Sequence, residues 1–429
     1  MLAPMVLAST LMAQAPQTMP ANDLHKVRGM LREGYETVKK EYYDPTFHGV
    51  DIDARYKEFD EKMKSAPTMS AGLTLVAGFL DGLKDSHTNF QPPARSFTLD
   101  YGYRLAVIGD DVFVERVRPG TDAESKVKPG DRVQSINGGG VGRESFMRMQ
   151  YLLNVLQPQP STRLTLKDPS GAERTVAVDT KVTQGRAIRD LTGAGAGQEL
   201  QDMELQQQAA DHLLRHRHVE QGGVMIWKMP IFFSENSEID QLFAIARKQS
   251  TLILDLRGNP GGLVDSLRRM LGNVMPADTP IGTRVTRKGR APLTAKSRGA
   301  DTFSGKLIVL IDGASGSSAE IFARTVQLEK RGVVIGDRSA GAVMEARMYQ
   351  FAQAVPNIIL YAFSVTDADL IMKDGKSLEA IGVTPDELVF PTGADLAAGR
   401  DPVLARAAKL AGLDIDAVAA GKLFPFEWK

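Results

Sequence analysis

Near the start of the chain, apolar residues recur at helical spacing. Val27, Met30, Leu31 and Tyr35 fall on one face of a repeat of about 3.6 residues, and Leu73, Val76, Phe79, Leu80 and Leu83 on another. The region from Asp23 to about Asn89 is therefore expected to be helical, broken into separate helices at Pro45 and the Gly49 region. It closes with KDSHTNFQPP, whose prolines end any helix and mark a boundary. From about Thr98 to Val182 the texture changes to short β-type runs with turns, VFVERV, DRVQSING, RLTLKD and RTVAVD. Residues 183–222 are the least regular, a Gly-rich GAGAG followed by a helical stretch that ends HLLRHRH.

From Gly223 onward, apolar runs alternate with helix-like segments: VMIWKM, EIDQLFAIARK, TLILDL, LVDSLRRMLGNVM, KLIVLI, AEIFARTVQLEK and GVVIG. This alternation predicts an α/β domain with a partly parallel sheet, whose functional residues lie beyond the carboxyl ends of strands. DLRGNPGG (255–262) and DGASGSS (312–318) both occupy that position. Asp401-Pro402, an N-cap followed by proline, predicts a closing helix. The expected organisation is multidomain α/β: a leader over 1–20, a helical domain over 21–92, a β domain over 98–182, a linker over 183–222 and the α/β domain over 223–429.

Length agrees, since 429 residues exceed one typical domain. With 52 Lys+Arg against 52 Asp+Glu there is no global charge bias toward nucleic acid. The absence of cysteine excludes a thiol nucleophile, disulfides and Cys-ligated metal sites. The first fifteen residues, MLAPMVLASTLMAQA, are apolar and end in Ala13-Gln14-Ala15, resembling a signal-peptidase site, so export to a periplasmic or extracellular compartment is expected. No later segment approaches the roughly 20 apolar residues of a membrane span. His212 and His216 stand four apart as in a helical metal pair, but arginines are interleaved and no carboxylate stands at a matching position, so a solvated helix face is expected there and no metal.

Three serines and two glycines crowd residues 312–318. Ser317 and Glu320 have the S-x-x-E spacing of a capping box. The same strand-to-helix junction would equally project Ser317 as a nucleophile, with free helix N-terminal amides aimed at a developing oxyanion. The two readings share a geometry, and partners elsewhere in the chain decide between them.

Two resemblances supply those partners. VFVERVRPGTDAESKVKPGDRVQSINGGGV resembles a PDZ domain, a module that binds extended peptide ends by strand addition. The loop that would receive the peptide is Gly102-Tyr103-Arg104-Leu105, which departs from the usual Gly-hydrophobic-Gly pattern at Arg104. LILDLRGNPGG, LIVLIDGASGSSAEIFA, GVVIGDRSAG and LEAIGVTPDELV occur in the order and rough spacing of the tail-specific, or carboxyl-terminal processing, serine proteases. That resemblance implies a crotonase-like catalytic domain and a nucleophile at Ser317. The larger branch carries a lysine base where this chain has Ala340-Gly341-Ala342-Val343, which excludes a Ser-Lys dyad at that position.

The tricorn-like branch instead implies Ser86-His87, in LKDSHTNF, and Glu379, in LEAIGVTPDE. His87 would take the Ser317 proton, and Ser86 and Glu379 would orient the imidazole. A backbone N–H of Gly261 or Gly262, with that of Ser318, would form the oxyanion hole. The resemblance implies an endopeptidase that needs no cofactor and takes peptides or unfolded proteins, with the PDZ presenting or gating substrate. The rival expectations are a non-catalytic relative binding apolar ligands, as interphotoreceptor retinoid-binding proteins do with this fold, and a PDZ scaffold. An overlooked amine base would be Lys373 or Lys376, the nearest in sequence.

Overall fold

A computed structural model describes residues 19–184, 215–354 and 358–428; the expected leader falls almost wholly outside these, as do His212 and most of the linker. The chain opens with helices α1 (Ala21–Glu41), α2 (Ile52–Lys64) and α3 (Met69–Asp81). On α1, Val27, Met30, Leu31, Gly34 and Val38 form the buried stripe. Asp51 and Thr68 cap the next two helices by accepting from the Ala54 and Ala71 amides. Helix does not run on to Asn89. Asp85 Oδ1 accepts from the amides of His87 (3.0 Å) and Thr88 (2.7 Å), a turn that competes with helix, and the chain leaves as strand β1 (Asn89–Gln91).

The β region follows with β2 (Phe97–Asp100), β3 (Tyr103–Ile108), β4 (Asp111–Val117), α4 (Ala123–Lys126), β5 (Arg132–Ile136), β6 (Gly139–Gly140), α5 (Arg143–Tyr151), β7 (Ser161–Lys167), β8 (Glu173–Asp179) and β9 (Lys181–Gln184). Its main sheet runs β3-β4-β5-β7-β8, while β2 pairs with β9. Val112, Val114, Val133, Leu164 and Leu166 make its core. Arg143, at the start of α5, docks this region on the rest of the molecule. Its guanidinium donates to Gly109 O (2.6 Å), to Asp337 Oδ2 (2.5 Å) and to Arg338 O (3.1 Å).

The remaining elements are β10 (Arg217–Gln221), β11 (Val224–Lys228), α6 (Asn236–Ala246), β12 (Thr251–Asp255), α7 (Val264–Val274), β13 (Thr279–Thr286), β14 (Gly289–Ala295), β15 (Lys306–Ile311), α8 (Ser318–Leu328), β16 (Val333–Gly336), β17 (Met344–Ala354), β18 (Ile358–Met372), β19 (Glu387–Leu388), α9 (Gly393–Ala397), α10 (Pro402–Leu410) and α11 (Ala417–Lys422). One sheet has the order β10-β11-β12-β15-β16-β19, parallel from β11 onward. Its inner strands β11, β12, β15 and β16 are buried because helices cover both faces. Leu267, Phe243 and Phe322 pack on one side, and Val403, Leu404 and Ala407 on the other. Asp401 caps α10 as expected and shares the Arg257 guanidinium with buried Asp255, which ties the closing helix to the end of β12.

A second sheet, β1-β18-β13-β14 with β17 on β18, joins the strand that follows the N-terminal helices to strands of the later part of the chain. Asn89 pairs with Ser364 and Gln91 with Ala362. The N-terminal helices pack against Tyr361, Phe363 and Val365 of β18 in one core, so the helical layer shares its interior with the far part of the chain. The boundary expected at residue 92 follows a strand that belongs to this sheet.

Candidate active site

Two turns at the carboxyl ends of neighbouring parallel strands build the first half of the site. After β15, Asp312 Oδ1 accepts from the amides of Gly258 (2.9 Å) and Ala314 (3.0 Å), and buried Ser315 donates its hydroxyl to Leu256 O (2.8 Å). The Gly316 amide donates to Asn259 O (2.9 Å), which staples this turn to the one after β12. Ser317 then stands at φ 50°, ψ −117° immediately before α8, a backbone conformation that a non-glycine residue adopts only when its surroundings hold it there. Such a strained strand-to-helix turn lifts the side chain off its tip.

Glu320 does more than cap. Its fully buried carboxylate accepts from the Ser317 amide (3.0 Å), Ser339 Oγ (2.6 Å) and the amides of Gly341 (2.7 Å) and Ala342 (2.9 Å). Burial pushes its carboxyl up to about 6, against the downward pull of those donors. The capping box is thus formed from the Glu320 side, while the Ser317 hydroxyl makes no side-chain cap. The Ser317 amide also donates to Ala342 O (2.8 Å), so the loop where the larger branch has its lysine lies directly behind Ser317.

The second half of the site arrives from the other end of the chain. Glu379 accepts from the Val343 amide at Oε2 (2.8 Å), from the Ser86 amide at Oε1 (2.7 Å) and from Ser86 Oγ at Oε2 (2.9 Å). Ser86 Oγ lies 2.7 Å from His87 Nδ1. A hydroxyl carries one hydrogen, and Ser86 gives it to the carboxylate, so the hydroxyl accepts Nδ1–H from His87. His87 Nε2 is then left with a lone pair, as a base requires. Burial pushes the His87 imidazole below its ordinary 6.5, partly offset by the Asp85 carboxylate. Burial likewise raises the Glu379 carboxyl, opposed by its three donors. Ser317 connects to this chain of groups through Ala342 and Val343, adjacent residues whose backbones bond Ser317 and Glu379 respectively.

The oxyanion candidates separate. Gly261 donates its amide to Asn259 Oδ1 (2.9 Å), which removes it from the set of free donors. The amides of Gly262 and Ser318 have no acceptor among the described residues. Gly261 has a different task. A Cβ there would lie 2.5 Å from Ser317 Cβ and 2.9 Å from Ser318 N, so only glycine lets the two turns close. Ser318 Oγ donates to Gly262 O (3.0 Å), fixing one turn to the other.

Other expected residues lie elsewhere. His216 is in an extended stretch before β10, not on a helix, and is held by Trp227 Nε1 (3.0 Å) and Ser234 Oγ (2.7 Å). Lys373 pairs with Glu329 beyond the far end of α8 (2.7 Å), and Lys376 is exposed. In the β region, Gly102 has φ +74° and donates to Asp100, Tyr103 bonds Thr162, Leu105 packs on the core, and Arg104 faces outward. Asn259, Asp85 and the anchoring part of Glu320 escaped the sequence reading, although Asp85 stands at Asx-turn spacing before Ser86-His87.

Residues 223–389 match the model of peptidase family S41, and residues 25–69 match that of the tricorn protease C1 domain. The chain is 24% identical over 328 residues to the tail-specific protease of Haemophilus influenzae, an alignment that takes in 72% of this chain and 44% of that one. It is 23% identical over 401 residues to the chloroplastic C-terminal processing peptidase of Tetradesmus obliquus, over 87% of this chain and 79% of that one. The chain therefore spans less than half the length of the Haemophilus relative. Among solved structures, mature CPAF superposes with a TM-score of 0.66 at 15% identity, over 88% of this chain and 95% of that one, and shares its mixed α/β multidomain fold. The chain is a relative of the tail-specific and C-terminal processing proteases and carries a peptidase family S41 domain.

Proposed function

We propose that this relative of the tail-specific proteases is a serine endopeptidase acting on peptides or unfolded proteins. Ser317 is the nucleophile, His87 Nε2 takes its proton and returns it to the leaving amine, and Ser86 and Glu379 hold the imidazole tautomer and offset its positive charge. The amides of Gly262 and Ser318 receive the oxyanion, while Gly261 is the spacer that lets them approach. The observation that carries the reading is the hydrogen-bonded row from Glu379 through Ser86 to His87 Nδ1, tied by Ala342-Val343 to a serine held at positive φ.

On the same reading the catalytic domain is crotonase-like, the β region is a PDZ-like module that presents or gates the substrate, and the apolar first fifteen residues direct export. A fluorophosphonate probe tests the centre. It should label the native chain at Ser317 and leave Ser317→Ala unlabelled and inactive. A native chain that stays unlabelled, or a Ser317→Ala chain that still hydrolyses peptides, overturns the assignment.

A further inference from the structure

Beyond α11 the chain reads Phe424, Pro425, Phe426, Glu427, Trp428, with an aromatic ring at every second position. Each ring meets an arginine. The Arg217 guanidinium lies 5.7 Å from the Phe424 ring centre, and its Nη1 donates to Pro425 O at 2.8 Å. Arg104 and Arg116 lie 5.1 and 4.9 Å from Phe426, and Arg118 lies 4.8 Å from Trp428. Phe426 and Trp428 also meet edge to face at 5.1 Å.

The three arginines of the β region form a row. Arg104 on β3 is the cross-strand partner of Arg116 on β4, and Arg118 follows with its amide on Gly102 O. Their side chains are 54%, 45% and 28% exposed, which leaves the guanidinium faces to aromatic rings while Glu115 and Asp100 pair at their sides. Stacked arginine is the side chain suited to that task. Arg104 is also the residue at which the Gly102–Leu105 loop departs from the carboxylate-binding pattern. The departure thus coincides with a different ligand chemistry, aromatic rings in place of a carboxylate.

The hold is made by side chains. Among the described residues, 424–428 forms no strand pairing with β3 or β4, and the rings remain partly exposed. Pro425 keeps Phe424 out of helix, so alternate rings stay on one side.

We propose that Arg104, Arg116 and Arg118 form a binding site for extended polypeptide with aromatic residues two positions apart, and that Phe426 and Trp428 are its internal ligand. The segment clasps the β region to β10, and an incoming polypeptide of the same chemistry displaces it. The claim is independent of catalysis and is tested in a Ser317→Ala background, so that its failure is distinct from failure of the peptidase reading.

The probe is the synthetic peptide Phe-Pro-Phe-Glu-Trp with a fluorophore at its amino end, followed by anisotropy. It should bind saturably to the full chain carrying Phe426→Ala and Trp428→Ala. Binding to the chain with its own rings in place should be weaker by on the order of tenfold, because the tethered ligand competes at high effective concentration. Adding Arg104→Ala and Arg116→Ala to the ring-deleted chain should abolish binding, with an unchanged unfolding midpoint showing that the β region still folds.

In the chain with its rings, the same arginine changes should raise acrylamide quenching of Trp428, the other tryptophan, Trp227, being fully buried. Equal affinity with and without the internal rings, no binding to either chain, retained binding without the arginines, or quenching indifferent to them would each overturn the proposal.

Discussion

The chemistry of the proposed centre depends on where single hydrogens sit. Ser86 can accept from His87 only while its own hydrogen goes to Glu379. Glu379→Gln places an NH₂ against the Ser86 amide or against the Val343 amide, and in the second arrangement the Ser86 hydrogen turns to His87 and the base becomes a donor. We expect kcat to fall by on the order of 10 to 10³ with little change in KM, less than the roughly 10⁴ of a carboxylate bonded directly to the imidazole, because Ser86 stands between them. Ser86→Ala added to that variant should cost less than the product of the single losses, since residues acting as a unit are non-additive. Wild-type rates in Glu379→Gln would leave a plain Ser-His pair. The pH profile carries a sign. A His87 pKa lowered by burial means a neutral imidazole at pH 7, so kcat/KM should rise with pH and reach its plateau through a midpoint below 6.5. A midpoint above that value would point to a different base.

At the scale of elements, α8 and β18 carry the site. Glu320 binds the first turn of α8 to the 339–342 loop with bonds to the amides of Gly341 and Ala342 and to that of Ser317, which it shares with Ala342 O. Glu320→Gln brings an NH₂ among donors and should lower stability by about 2 to 4 kcal/mol in urea unfolding, with slower fluorophosphonate labelling of Ser317. Strand β18 positions His87 indirectly, by pairing with β1 on one edge and by packing under α1. Gly34 on α1 is the contact point, because a Cβ there would lie 2.8 Å from the Phe363 ring. Gly34→Val should therefore cost about 1 to 3 kcal/mol by overpacking and reduce kcat together with stability. An unchanged denaturation midpoint would mean that Phe363 yields freely and that β18 does not transmit the strain.

At the scale of the molecule, the β region and the site share a loop. Arg143 reaches from α5 to Asp337 and to the Arg338 carbonyl, and the next residues, Ser339 to Ala342, are those held by Glu320 behind Ser317. Both charges of the Arg143–Asp337 pair are largely buried, with side-chain exposures of 16% and 6%. Arg143→Ala leaves Asp337 without its counter-ion, a loss of about 3 kcal/mol or more at the docking surface. Limited proteolysis should then cut the β region free faster than in the native chain, and labelling of Ser317 should slow. Equal proteolysis rates would show that Arg143 is not what docks the region.

The sequence by itself determined what is local. Amphipathic spacing fixed the first helices, unbroken apolar runs fixed the buried parallel strands, Asp401-Pro402 fixed the closing helix, and S-x-x-E marked the turn at Ser317, because each depends on residues within a turn or two of one another. The β17–β18 hairpin was not legible. Its polar and apolar residues do not alternate cleanly, since β18 is paired on both edges and meets helices on one face only in part. Nor could spacing reveal that Asn259 occupies the Gly261 amide, that Arg104 faces Phe426, or which nitrogen of His87 is free. Ser86 and Glu379 are 293 residues apart, and nothing in either segment's own pattern records the other. The resemblance implied their partnership but not its geometry; their meeting rests on β1 joining β18 and on the helical layer closing over both, contacts whose loop-closure cost is offset by the shared core, so the tertiary structure decided how they meet.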